Sequence, residues 1–164
     1  MAGMRIAMLQ TSPRFGAVEE NLRAVDAACA GIRADLLVLP ELALTGYQFT
    51  DRDELARLAE PAGGTSLGRT AALAGNIGGH VVLGFAECDG ERIYNSAALV
   101  GPGGVAGIYR KVHLFADETR LFDPGDRGFP VFEVAGVSVG MMVCFDWIFC
   151  ESARSLALAG AQVI

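Results

Sequence analysis

Three reactive side chains stand where apolar runs end. Cys144 follows the run 137–143 and precedes Phe145-Asp146-Trp147 and a helical stretch. A strand–turn–helix junction exposes its central side chain and aims backbone N–H groups at whatever that side chain attacks. A helix N-terminus also lowers a thiol pKa, and the thiolate is the nucleophile. The alternative for Cys144 is a buried structural cysteine. Glu41 closes the run DLLVLP at 35–40. A carboxylate after so apolar a run is partly desolvated and suits proton transfer; its alternative is a solvated loop position. Lys111 ends the run 104–110, with an ordinary surface lysine as its alternative. Three reactive types at three strand ends weigh more than each alone, since α/β sites gather at strand C-termini.

Other candidates carry less. Gly63–Thr70 reads GGTSLGRT, one substitution from a phosphate-binding loop. That loop needs a preceding strand and a lysine; here the preceding stretch is helical in pattern and Arg69 replaces the lysine. GPGGVA at 101–106 leads into a strand, so it reads as a hairpin. His80 and His113 could each serve a Cys–His pair, although a lone His near a strand end more often packs or hydrogen-bonds. No G-x-S-x-G elbow occurs, which removes the common serine-hydrolase arrangement.

The elements that must position these residues alternate. Short apolar runs at 5–10 and 35–40 read as buried strands. Between them 18–33 shows helical spacing of Val18, Leu22, Val25, Ala28, Cys29 and Ile32. Strand, helix, strand implies a right-handed crossover between parallel strands. Helices follow at 51–60 and 66–77, with Asp51 and Ser66 as N-caps. Strands at 80–87, 92–100 and 104–111 are joined by the turn sequences CDGE and GPG. A strand pair at 131–134 and 137–143, a helix at 148–159 and a last strand at 161–164 complete an α/β domain with a mixed sheet.

Composition narrows the function classes. The chain has 164 residues, is 52% hydrophobic and 20% charged, and carries a net charge of −6. So apolar a chain must bury surface. No basic stripe supports nucleic-acid binding, and no apolar run reaches the ~18–20 residues of a membrane helix. The amino terminus lacks a secretory hydrophobic region. Cysteines 29, 88, 144 and 150 form neither a metal knuckle nor a disulfide scaffold, so no metal site and a reduced, cytoplasmic setting are expected.

The segments LPELALTGY (39–47), YRKVHLF (109–115) and CFDWIFCESAR (144–154) resemble the three signatures of the nitrilase superfamily of carbon–nitrogen hydrolases. The similarity runs from Arg5 to Ile164 in order and spacing. It implies a single domain, 1–164, built as an α-β-β-α sandwich with mixed sheets. It also implies Glu41 as general base, Lys111 as electrophilic lysine, Cys144 as nucleophile and Glu118 as a second, positioning glutamate. Phe145 (through its backbone N–H), Trp147 and Tyr47 are the expected substrate contacts. The implied substrate is a small linear amide, with a nitrile as runner-up and no cofactor, and the implied assembly is a homodimer or larger homo-oligomer. An aromatic at Trp147, where omega-amidase-like members carry arginine, favours a neutral or apolar acyl group. One departure is Cys150, where the family usually has proline before the glutamate.

The other departure is length: the chain ends in an apolar strand and lacks roughly the last third of a family member. The sandwich is therefore expected to be incomplete, with runs 36–39, 81–85 and 137–143 uncovered on at least one face. Residues 1–164 alone are then expected to be inactive, and to self-associate or bind hydrophobic dye. A non-catalytic remnant or assembly module is the alternative from another class.

Overall fold

The structure is a computed structural model that describes residues 3–164. The two leading apolar runs form parallel neighbours, β1 (Ile6–Met8) and β2 (Leu36–Val38), with Ile6 opposite Leu36. Between them lies α1 (Val18–Ala28), whose first turn carries Glu19 and Glu20, favourable at the positive end of the helix dipole. The helix stops short of the expected residue 33. Gly31 adopts φ +79°, turning the chain, and the Arg33 guanidinium donates to the Asn76 carbonyl at 2.7 Å.

The sheet continues in the order β1-β2-β3-β4-β5. β3 (His80–Asp89) runs parallel to β2, whereas β4 (Arg92–Gly101) and β5 (Gly104–Arg110) are antiparallel. The mixed sheet follows the sequence pattern. Side chains alternate between two cores, as strand geometry requires. Val81, Leu83, Phe85, Ala98 and Val100 meet the helices α1 and α3 (Thr65–Ile77). Leu36, Val82, Ala97, Leu99 and Tyr109 meet a second sheet. That sheet is the hairpin β6 (Val131–Val134) and β7 (Val137–Gly140), closed by Ala135 and Gly136, both at positive φ. On its far side lies α5 (Cys150–Leu158), where Leu156 occupies the space a side chain at Gly140 would need. Helices, sheet, sheet, helix is the layer order.

Several expectations are corrected. Runs 36–39 and 81–85 are covered by α1 and α3 on one face and in large part by β6, β7 and residues 141–143 on the other, where Val38 and Val82 still border an apolar groove. The strand expected over 137–143 ends at Gly140, and the strand expected at 161–164 is a single parallel bridge, Val139 to Val163. α2 (Arg52–Leu58) is capped as expected, Asp51 accepting from the Glu54 N–H at 2.8 Å. Ser66 is not a cap. α3 starts one residue earlier behind Gly64, and the Ser66 N–H donates to Glu60 at 3.0 Å. Arg69, in the phosphate-loop look-alike, pairs with Glu19 and Asp26 of α1. A short α4 (Glu118–Leu121) was not anticipated. No described helix is long and apolar enough to cross a membrane.

Candidate active site

Glu41 lies in the turn that leaves β2. That turn is pressed onto β3 at Gly84, where any side chain would strike the Pro40 carbonyl and the Glu41 backbone. Lys111 follows β5, and its N–H continues the ladder by donating to the Asn95 carbonyl of β4 at 2.8 Å. Glu118 opens α4. Cys144 opens a single 3-10 turn, Cys144–Ile148, after residues 141–143. Four non-glycine residues have left-handed φ among the described residues. Three of them, Leu42 (48°), Ala116 (47°) and Cys144 (43°), sit at or beside these side chains. Backbone strain of this kind persists where surrounding structure over-determines it, and it clusters at functional sites.

The side chains converge. Lys111 Nζ is fully buried, donating to Glu41 Oε1 at 2.7 Å and Glu118 Oε1 at 2.8 Å. Asn95, also fully buried, donates to the same two oxygens at 2.7 and 2.9 Å. Glu118 Oε2 accepts from the Phe115 N–H at 2.6 Å, so this carboxylate is held on both sides. Burial works against the Lys111 charge. The hydrogen bonds and charges of Glu118 and Glu41 more than offset it and hold the ammonium above its ordinary pKa.

The Cys144 thiol stands in the field of this cluster, and its pKa is raised, not lowered as its placement suggested. Partial burial of the sulfur, on a residue otherwise exposed, is the largest cause and the Glu41 carboxylate adds to it, while the Lys111 ammonium pulls the other way. The expected helix-end effect fails because a single 3-10 turn carries little dipole and α5 begins only at Cys150. Cys150 itself occupies the first helical position, where proline is well tolerated, and the helix forms without one. Tyr47 lies beside Glu118. Burial, then that carboxylate's hydrogen bond and charge, keep its phenol protonated.

Asp146 is the second buried anchor. It accepts from Tyr109 Oη at 2.5 Å, the His113 N–H at 3.0 Å and the Val143 N–H at 3.0 Å. Tyr109 and His113 flank Lys111, so this one carboxylate ties the lysine's strand end to the cysteine's turn. His113 Nδ1 lies 2.8 Å from Asp146, and its ring stacks on Phe149 with centroids 3.8 Å apart. It is a partner of the turn rather than of the thiol. His80 lies at the opposite end of β3, packed over Gly101. Phe145 packs between Phe115 and Phe149, and its backbone N–H has no acceptor among the described residues. Trp147 is 70% exposed. No described group of His, Cys, Asp or Glu is arranged to hold a metal ion.

Sequence reasoning missed Asn95 and Asp146. Asn95 is signalled only by an amide side chain in an otherwise apolar strand, and Asp146 only by its place two residues after Cys144.

Comparison with known proteins shows the family and the fold. The sequence profile of the carbon-nitrogen hydrolase family matches residues 5–164. A nitrilase of Pyrococcus abyssi is 44% identical over 98% of this chain, and an (R)-stereoselective amidase of a Pseudomonas species is 43% identical over 98%. The chain spans 63% and 58% of those proteins' own lengths. An amidase crystal structure from Nesterenkonia superposes with a TM-score of 0.84 at 32% identity, covering 98% of this chain and 63% of that one. A variant of the same amidase, at TM-score 0.81 and 29% identity, shows Michael addition of acrylamide at its active-site cysteine. The mixed α/β fold is that of the nitrilase-superfamily amidases.

Proposed function

The chain belongs to the carbon–nitrogen hydrolase family, and on that premise we propose that it hydrolyses a small linear amide to a carboxylic acid and ammonia. The observation that carries this reading is the convergence of Glu41, Lys111 and Glu118 beside the Cys144 thiol. A raised thiol pKa means that Cys144 is held as S–H and needs a base at the moment of attack. Glu41 takes that proton, and sulfur bonds to the amide carbon. The carbonyl oxygen becomes an oxyanion, which Lys111 Nζ and the Phe145 N–H stabilise. Protonated Glu41 then gives its proton to the departing nitrogen, the C–N bond breaks, and ammonia leaves a thioester on Cys144. Water attacks the thioester with Glu41 again as base, releasing the acid and restoring the thiol. Glu118 holds Lys111 and does not exchange protons with substrate.

Tyr47, Phe145 and Trp147 are the proposed substrate contacts, and their aromatic character suits a neutral or apolar acyl group. A nitrile is the second reading, since the same thiolate can attack a nitrile carbon and one relative is named a nitrilase. Ammonia release from simple amides and nitriles tests the assignment. Glu41→Gln, Lys111→Ala and Cys144→Ala are each expected to lower amide hydrolysis by at least ~100-fold, the scale of a lost base or oxyanion donor. His113→Ala is expected to stay within about tenfold, as suits a residue outside proton transfer. A folded His113→Ala as damaged as Cys144→Ala would replace this mechanism with a Cys–His one.

A further inference from the structure

We propose that Asn95 is a positioning residue for this reaction, fixing which oxygen of Glu41 takes the Cys144 proton; the proposal rests on the function assigned above. Asn95 is fully buried within β4, between Tyr94 and Ser96. Asparagine is disfavoured in strands, and burying its amide is costly wherever a polar atom goes unpaired. Its Nδ2 hydrogens are both used, one on Glu41 Oε1 and one on Glu118 Oε1. Its Oδ1 is buried with no hydrogen-bond partner among the described residues. Turning the amide over would set that oxygen against two carboxylate oxygens, so the carboxylates dictate its orientation. A residue serving stability alone would not keep an orphaned acceptor, and such groups in native structures call for another explanation.

Lys111 Nζ reaches the same two oxygens as Asn95. Glu41 Oε1 therefore accepts from both Asn95 and Lys111, and neither of them engages Oε2. Oε2 is left with free lone pairs for the thiol proton, and rotation of the carboxylate would break both bonds to Oε1. Asn95 contributes no proton and touches no substrate. It sets the orientation of the base against Lys111, and the Lys111 N–H closes the arrangement on the Asn95 carbonyl.

The test combines kinetics with nuclear magnetic resonance. In Asn95→Ala, kcat for amide hydrolysis is expected to fall about 10- to 100-fold with KM within about threefold, the pattern of lost alignment rather than lost binding. Circular dichroism establishes that the variant is folded. A folded Asn95→Ala with unchanged kcat overturns the proposal. In the unsubstituted protein, both Asn95 side-chain amide protons are expected downfield of ordinary asparagine amides. One should move upfield in Glu41→Gln and the other in Glu118→Gln. Amide protons that ignore either substitution overturn the proposal, even where Asn95→Ala does not fold. Absence of amide and nitrile hydrolysis by the unsubstituted protein counts against the assigned function instead, and the resonance signals then decide the geometry of Asn95 by themselves.

Discussion

At Cys144 two neighbours pull in opposite directions: the Glu41 carboxylate adds to burial in holding the proton on sulfur, and the Lys111 ammonium favours its release. The consequence is measurable. The pH midpoint of Cys144 alkylation by iodoacetamide, followed by mass spectrometry, is expected above that of an ordinary thiol. Glu41→Gln removes a negative charge that raises the pKa, so it should move this midpoint down even as it abolishes hydrolysis. A midpoint already below the ordinary range would favour a preformed thiolate instead. Glu41, Lys111 and Cys144 were legible because three motifs carry them in order, and Glu118 by its place seven residues past Lys111. The sign of the thiol shift was not, because it depends on a carboxylate 103 positions away in sequence that the fold sets beside the sulfur. Asn95 was hidden for the same reason: its amide acquires meaning only when β4 pairs with β5.

The elements were legible wherever period and turn chemistry agreed. The crossover β1-α1-β2 and the hairpins of β3, β4 and β5 follow from apolar runs and Gly-containing turns. Boundaries failed where tertiary contacts end an element, as at Gly31, where the chain turns so that Arg33 can reach α3. The helix expected over 148–159 is α5 (Cys150–Leu158), while the 3-10 turn Cys144–Ile148 that precedes it was not anticipated and is fastened by Asp146. That fastening gives a prediction for this element. Asp146→Ala strands the Tyr109 hydroxyl and the Val143 and His113 N–H groups, each worth about 1–3 kcal/mol when left unsatisfied. Urea denaturation is therefore expected to show a loss of at least ~2 kcal/mol. Full stability in Asp146→Ala would mean that the turn is held by its aromatic packing alone.

Across the whole molecule the cluster of Glu41, Lys111, Glu118 and Cys144 is assembled while its surroundings stay open. Cys144 is exposed, Trp147 is 70% exposed and Phe115 50%. Water therefore reaches the reacting atoms, and an enclosed, water-excluding site strengthens every electrostatic interaction that catalysis uses. The sequence led to an expectation of inactivity for residues 1–164; the assembled cluster with open surroundings replaces it with an expectation of slow turnover beside intact thiol chemistry. A second opening lies between the two sheets: an apolar groove of about 290 Å³ lined by Ile6, Met8, Val38, Val139, Met141 and Ile164. Met8 is 85% exposed and Ile164 52%, next to a short, flat β1 edge. Contiguous apolar surface and an unpaired strand invite association. The chain is expected to bind a hydrophobic dye or to elute as an oligomer in size-exclusion chromatography, and a dye-silent monomer would contradict this. Apart from this groove the strands are covered, so the sequence-based expectation of bare sheet faces was too broad; the second sheet that covers them is built from short segments whose layering only the packing reveals.

In the proposed mechanism an amide becomes a thioester on Cys144 with Glu41 as the base. Rapid acid quench during turnover of a small amide, followed by peptide mass spectrometry, tests it most directly. The predicted result is the substrate's acyl group on the peptide containing Cys144, absent from Cys144→Ala and from Glu41→Gln. An acyl group on another residue, or undiminished ammonia release by Cys144→Ala, would contradict it.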